Sequence, residues 1–132
     1  MGNMQYFIFQ LLIPSFWAIL FLQSGLDKVI DWKGNLDWLK GHFSKTPLKN
    51  LVPMMLLGIT FMEVSSGVIS LAGIIEMLAY NTKHFAAIGA ILSALSLLML
   101  FFGQRIAKDY AGAATLVPYF MLALWSIAWL RA

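Results

Sequence analysis

The segment FAAIGAILSALSLLMLFFGQ, residues 85–104, decides the fold of this 132-residue chain. It carries no charged side chain, and a helix of this length, at 1.5 Å per residue, is about 30 Å long. The hydrocarbon core of a bilayer has the same thickness and takes about 20 helical residues to cross. Since lipid offers no partner to free backbone amides and carbonyls, the segment is predicted to be a transmembrane helix.

Three other segments have the same character. Residues 1–26 and 110–130 are uncharged, and residues 51–80 are interrupted only by Glu63 and Glu76. The sequence therefore predicts one all-α integral membrane domain over residues 1–132, an antiparallel bundle of four transmembrane helices at about 4–28, 51–79, 85–103 and 110–131. The composition agrees, because 61% hydrophobic and 11% charged residues lie far outside the range of soluble domains.

Composition also excludes several functions. The chain has no cysteine, which excludes disulfide scaffolds, thiol redox relays and iron–sulfur clusters. Its only histidines, His42 and His84, lie near span ends and far apart in sequence, so a haem or zinc site is not expected. A net charge of +3 is too small for a nucleic-acid footprint. We expect no covalently attached or metal-held cofactor and no nucleic-acid partner.

The connection over residues 28–49 is not a plain loop. Four large apolar residues recur in it at helical spacing: Trp32, Leu36, Leu39 and Phe43. We expect a short amphipathic element in the headgroup region between helices 1 and 2, limited by Gly34 and Gly41 to one or two turns. A solvated loop with tryptophan anchors is the alternative.

Basic residues predict the orientation. Seven lie at one end of the bundle: Lys28, Lys33, Lys40, Lys45, Lys49, Arg105 and Lys108. Only Lys83 and Arg131 lie at the other end. By the positive-inside rule, the loops between helices 1 and 2 and between helices 3 and 4 are cytoplasmic, and both termini face outward.

Each predicted helix carries a stripe of small or weakly polar residues at spacings of three and four. In chain order the stripes are Gln10, Pro14, Trp17 and Ser24; Thr60, Glu63, Ser66, Gly67 and Ser70; Ala86, Gly89, Ala90, Ser93 and Ser96; Gly112, Thr115, Tyr119, Ala123 and Ser126. Such residues allow helices to approach closely in lipid, so we expect all four stripes to face the bundle interior.

Glu63 is the candidate functional residue, since it lies about 15 Å into its helix, near the bilayer midplane. Trp17, Ser93 and Tyr119 are predicted to lie at a similar depth. We expect a neutral Glu63, bonded to Tyr119, Ser93, Thr60 or a partner outside this chain, because no lysine or arginine is predicted at that depth. These five residues are the candidate quinone or lipid pocket. The alternative is a carboxylic acid that only joins helices.

Charged residues near span ends have simpler predicted roles. Asp109 is expected to cap the fourth helix, and it could pair with Arg105 if the intervening turn is helical. Glu76 is expected to be solvated near the outer interface. Residues 81–83 are predicted to form a short turn between helices 2 and 3.

Three motifs together resemble the DoxX/DoxD-like family of small bacterial membrane proteins. They are SGLDKVIDW (Ser24–Trp32), EVSSGVISLAG (Glu63–Gly73) and RIAKDYAGAATLV (Arg105–Val117), and with their spacing they cover nearly the whole chain. The residues that match the family pattern are Gly25 and Lys28, Glu63 and Gly67, and Asp109 and Gly112.

The resemblance implies a multi-pass protein of the bacterial cytoplasmic (inner) membrane. Namesake members of the family are membrane subunits of a thiosulfate:quinone oxidoreductase, so a respiratory complex and a bound quinone are implied. The lack of cysteine puts direct sulfur chemistry by this chain in doubt.

Two functions remain open. One is a small subunit of a quinone-linked redox assembly, with other integral membrane subunits and lipids as partners and no catalysis by this chain alone. The alternative is a non-catalytic accessory subunit of a secretion, motility or transport machine. A transporter would need several intramembrane ionisable groups, and the predicted spans offer too few at mid-depth.

Overall fold

A computed structural model describes residues 2–130 and shows an all-helical protein, with no strand in that range. Its five helices are α1 (Gly2–Ile30), α2 (Trp32–His42), α3 (Val52–Tyr80), α4 (His84–Ile106) and α5 (Tyr110–Leu130). Four of them, α1, α3, α4 and α5, are long and apolar enough to cross a membrane. Their bounds agree with those of the four predicted helices to within a few residues. Arg131, which entered the predicted charge balance, lies outside the described residues.

The element between the first two spans is longer than predicted. α2 has 11 residues, about three turns, so the limit of one or two turns was wrong. Its start is capped by Asp31, whose carboxylate accepts a hydrogen bond from the Gly34 amide at 3.3 Å. A Cβ on Gly34 would collide with that carboxylate, and Gly41 has open space around it. The Asp31 cap thus leaves no room for a larger residue than glycine at position 34. The cap and the contacts of α2 with α1 and α3 offset the low helix propensity of both glycines.

Small residues let the long helices approach closely. α3 is central, packing extensively against both α1 and α4, and α5 packs mainly against α4. A Cβ on Gly67 would lie 2.7 Å from the backbone nitrogen of Leu22, and one on Gly73 would lie 2.5 Å from that of Ala86. Larger side chains at these two glycines would push the backbones apart.

The core matches bulky side chains of one helix with small side chains of another. Trp17 and Phe21 of α1 are almost completely buried and belong to the same cluster as Ala86, Ala90 and Ala94 of α4. The Trp17 indole also donates a hydrogen bond to the Ser126 hydroxyl of α5 at 3.1 Å, which gives this buried donor a partner.

The predicted stripes are confirmed on α3 and α4, where all their residues are buried. On α1, three of the four are buried and Ser24 is half-buried. The prediction was wrong for the first half of α5, where Thr115 is exposed and Tyr119 is 38% exposed. The reason is that α1 contacts α5 only slightly. The hydrogen bonds between them are near the C-terminal end of α5, at Ser126 and Trp129.

Candidate functional site

The main polar site lies between α1 and α3. Ser24 and Lys28 are one turn apart on the same face of α1, and Glu63 lies opposite on α3 with 2% of its side chain exposed. The Lys28 ammonium is 2.7 Å from Oε1 of Glu63. The Ser24 hydroxyl donates a hydrogen bond to Oε2 at 2.8 Å, and the ammonium donates one to the Ser24 hydroxyl at 3.0 Å. We name these three residues the Lys28 cluster.

This geometry corrects the expectation that no lysine or arginine lies near Glu63. A carboxylate 2.7 Å from an ammonium is an ion pair, and Lys28 is the partner. The depth of each residue was predicted by counting residues from the start of its own helix. The last turns of α1, however, lie beside the middle of α3, because Gly25 packs against Val64 and Leu22 against Gly67.

The other predicted pocket residues lie elsewhere and do not gather around Glu63. The hydroxyls of Thr60 and Ser93 each donate to the carbonyl four residues earlier in their own helix, at 2.6 and 2.7 Å. Trp17 is bonded to α5. Tyr119 faces outward beside Phe16, with ring centroids 6.2 Å apart. None of these four provides a hydrogen bond to the Glu63 carboxylate among the described residues.

A cavity of about 790 Å³ lies next to the Lys28 cluster. Its walls are one face of α2, the first turns of α3 and residues 98–105 of α4, and Lys28 is part of its lining. This volume is within the range of small-molecule sites, and the lining is mostly apolar, as such sites require. None of the five predicted pocket residues lines it, so that set stays a prediction, and the cavity is a separate candidate site.

The cavity has a small set of polar lining residues: Lys28, Asn35, His42, Gln104 and Arg105. His42 Nε2 lies 2.9 Å from Oε1 of Gln104, which connects the end of α2 to the last turn of α4. Trp38 stacks on the His42 ring at 4.6 Å. The Arg105 guanidinium lies over the Tyr110 ring, 4.5 Å from its centroid. All the ionisable side chains among the described lining residues are therefore basic or histidine.

The motif residues of the family resemblance fall into two groups. Gly25, Lys28, Glu63 and Gly67 all lie at the contact between α1 and α3. Gly25 is required there, because a Cβ on it would lie 2.8 Å from a methyl carbon of Val64. The glycine therefore allows the close approach that lets Lys28 reach the carboxylate.

The second group is Asp109 and Gly112 at the start of α5. Oδ1 of Asp109 accepts a hydrogen bond from the Gly112 amide at 2.9 Å, which confirms the predicted cap. Oδ2 lies 3.8 Å from His42 Nε2. Arg105 contacts Tyr110 and makes no ion pair with Asp109 among the described residues.

Glu76, at the other end of α3, is half-buried, with 12% of its side chain exposed. Its carboxylate accepts hydrogen bonds from the Thr82 hydroxyl at 2.8 Å, the Phe85 amide at 2.9 Å and, at 3.1 Å, the His84 ring. The predicted turn at residues 81–83 brings these donors back to α3, with Asn81 at a φ of 55°. We name this arrangement the Glu76 cap.

Sequence reasoning missed Ser24 as a partner of Glu63, and it missed His42, Gln104 and Arg105 as cavity residues. The role of Ser24 had a usable signal in the sequence, because Ser24 and Lys28 are four residues apart and Gly25 follows Ser24. The residues of the cavity come from four helices and carry no local signal. Within residues 2–130, no group of three His, Asp or Glu side chains is placed to hold a metal ion.

The fold and site define an all-helical protein with the make-up of a multi-pass membrane protein. Comparison with protein-family models, curated proteins and solved structures gave no match to this chain. Membership of the DoxX/DoxD-like family therefore stays a prediction.

Proposed function

We propose that this chain is a small membrane subunit of a larger, quinone-linked redox assembly, and that it binds a quinone or a membrane lipid in the cavity beside the Lys28 cluster. The observation that carries the proposal is the cavity itself. It is about 790 Å³, mostly apolar, and in contact with a lysine whose carboxylate partner is buried between two membrane-spanning helices. Intramembrane charges are costly and usually mark a site.

The proposed arrangement is an antiparallel bundle in the bacterial inner membrane. Contacts between α1 and α3 support it, because Leu22 faces Gly67 and Gly25 faces Val64. Residue numbers therefore increase along α1 in the direction in which they decrease along α3, as in antiparallel helices. In this arrangement α2 lies at the cytoplasmic surface and forms a wall of the cavity. The charge pattern supports this orientation, with both termini outside.

The chemistry of the cavity suits a molecule with an apolar body and a polar head. Ile59 and Leu56 supply apolar wall against which the apolar body of such a molecule can pack. The donors near the wall are the Lys28 ammonium and the side chains of Gln104 and Arg105. They can donate to a quinone carbonyl or to the oxygens of a lipid head.

A cavity-filling variant tests the proposal. We expect Gly103→Leu to reduce the amount of bound ligand, because Gly103 lines the cavity and a Cβ there would meet only Phe43, at 3.5 Å. Gly58→Leu is the matched control, since Gly58 is also helical, has no atom within 4 Å of its Cβ position and does not line the cavity. The measurement is native mass spectrometry of protein released from gentle detergent, with extraction of lipids and quinones.

The outcomes are distinct. Wild type and Gly58→Leu are expected to retain a lipid or a quinone that Gly103→Leu loses. Equal retention by all three proteins would show that the cavity binds nothing, and a ligand absent from all three would lead to the same conclusion.

The second candidate function is an accessory subunit that packs against other membrane proteins without binding a redox molecule. Tyr119 favours it, because this residue lies near the middle of α5, is 38% exposed, and its hydroxyl bonds no described residue. A hydroxyl in hydrocarbon without a partner costs free energy, and a neighbouring subunit can supply the acceptor.

Affinity purification of the tagged chain separates the two candidates. Co-purification of quinone-oxidoreductase or cytochrome subunits supports the redox assembly. Secretion, motility or transport components without quinone support the accessory function. In the second case, Tyr119→Phe is expected to weaken the association, and Tyr110→Phe, which also removes an exposed phenol from α5, is the control.

A further inference from the structure

The cavity has an uneven distribution of charge. Its described lining contains Lys28, Arg105 and His42, and no aspartate or glutamate. Two acidic groups outside the lining contact it: Glu63 lies 2.7 Å from Lys28, and Asp109, which is also bonded to the Gly112 amide, lies 3.8 Å from His42. The charged groups of the lining itself therefore favour an anionic or strongly accepting group over a cationic one.

The two cations are not equivalent. The charge of Lys28 is compensated by Glu63, and its ammonium already has that carboxylate and the Ser24 hydroxyl within 3.0 Å. Arg105, in the last turn of α4, has the Tyr110 ring as its neighbour and no carboxylate partner among the described residues. Its guanidinium keeps donors that fit the oxygens of a phosphate.

We infer that the occupant of the cavity is an anionic phospholipid of the surrounding bilayer, with its phosphate at Arg105 and the start of an acyl chain along the apolar wall. This inference rests on the proposed function and names the ligand of the same site. Arg105 lies at the end of a membrane-spanning helix, which is the depth of lipid headgroups. A neutral quinone head would gain much less from the charge of the guanidinium.

The apolar wall fits the acyl chain in length as well as in character. The lining extends along α4 from Leu98 to Arg105 and along α3 from Val52 to Ile59, about 10 Å in each helix. A phosphate held at Arg105 therefore leaves about 10 Å of apolar surface for the first carbons of the chain. The remaining carbons extend into the bilayer.

The test is lipid selection in nanodiscs of phosphatidylcholine with about one tenth phosphatidylglycerol, followed by native mass spectrometry of the released protein. Wild type is expected to retain phosphatidylglycerol well above its share of the disc. Arg105→Gln is expected to lower this preference about fivefold, the effect of one basic residue near the headgroups. Lys83→Gln is the control, because it removes one positive charge next to the other end of α4.

Gly103→Leu is included to separate this inference from the proposed function. If Gly103→Leu loses a lipid that was never selected by charge, the proposed function stands and the anionic head is wrong. An unchanged preference in Arg105→Gln also overturns the inference. If Gly103→Leu retains every ligand that wild type retains, both fail.

Discussion

The two glutamates of α3 show how different the partners of a carboxylate in an apolar helix can be. Glu63 is 2% exposed and is bonded to Ser24 of α1, which lies 39 residues earlier in the sequence. Glu76 is 12% exposed and is bonded to Thr82, six residues on, and to the first turn of α4. Glu63 therefore joins two helices, whereas Glu76 organises the turn between two neighbours. Only the first has a charged partner that also reaches a cavity.

Among the variants that test this comparison, removal of Lys28 is expected to cause the largest loss of stability. Lys28→Met leaves Glu63 as a buried carboxylate without a cation, and breaking a buried pair in this way costs about 3–5 kcal/mol. The measurement is the free energy of unfolding in mixed micelles of a mild detergent and sodium dodecyl sulfate. Lys33→Met, which removes a lysine from the first turn of α2, outside the Lys28 cluster, is the control and is expected to change little.

The double variant Lys28→Met, Glu63→Met shows where that cost comes from. It removes both charges, so it is expected to recover most of the lost stability. If the double variant is as unstable as Lys28→Met, the cost comes from the packing of the lysine stem and not from an unpaired carboxylate.

Glu63→Gln is expected to cost less than Lys28→Met, about 1–3 kcal/mol. Glutamine keeps the shape and can still accept a hydrogen bond from Ser24. The uncompensated group is now Lys28, whose side chain is 17% exposed and can move its ammonium toward the cavity. The same unfolding measurement tests the order of the two variants. A larger loss for Glu63→Gln would contradict the assignment of Glu63 as the more deeply buried partner.

Glu63→Gln also tests the role of Glu63 in function. Glu63→Gln is expected to preserve assembly, because it changes the charge and not the shape. If it abolishes turnover of an intact redox complex that still contains the chain, the accessory function fails for this residue. The control is the amount of the chain recovered with its partners.

The difference between the two glutamates also explains what could be predicted from the sequence. The four long helices follow from predominantly apolar runs of about 20 residues or more, and the Asp109 cap follows from local spacing, so both were found. The partner of Glu63 depends on how far α1 slides along α3, which is decided by the packing of Gly25 and Gly67. No local pattern contains that offset, so Lys28 was placed at the wrong depth.

The cavity and the outward Tyr119 were missed for a related reason. A stripe of small residues shows which face of a helix can be buried, but it does not show which part of that face finds a neighbour. α5 is covered mainly by α4, and its first half has only Ala113 buried. The cavity depends in the same way on the position of α2, which forms one of its walls.

At the other end of α3, Glu76→Ala is expected to cost about 1 kcal/mol, the usual effect of losing a helix cap. It removes the acceptor of the Phe85 amide and of the Thr82 hydroxyl, but it leaves no buried charge behind. The first turn of α4 should exchange its amide hydrogens faster, with the rest of the helix unchanged. Glu76→Gln, which can still accept one hydrogen bond, is the matched control. A loss as large as that of Lys28→Met would remove the distinction between the two glutamates.

His84→Ala is expected to have the smallest effect, below about 0.5 kcal/mol, because pairs involving an exposed side chain contribute little. The His84 side chain is 66% exposed, and without it Glu76 still accepts hydrogen bonds from the Thr82 hydroxyl and the Phe85 amide. The exchange rate of the Phe85 amide should therefore stay at the wild-type value in His84→Ala and rise in Glu76→Ala. Faster exchange in both variants would mean that the histidine holds the carboxylate in place, and Glu76 would then depend on a basic side chain as Glu63 does.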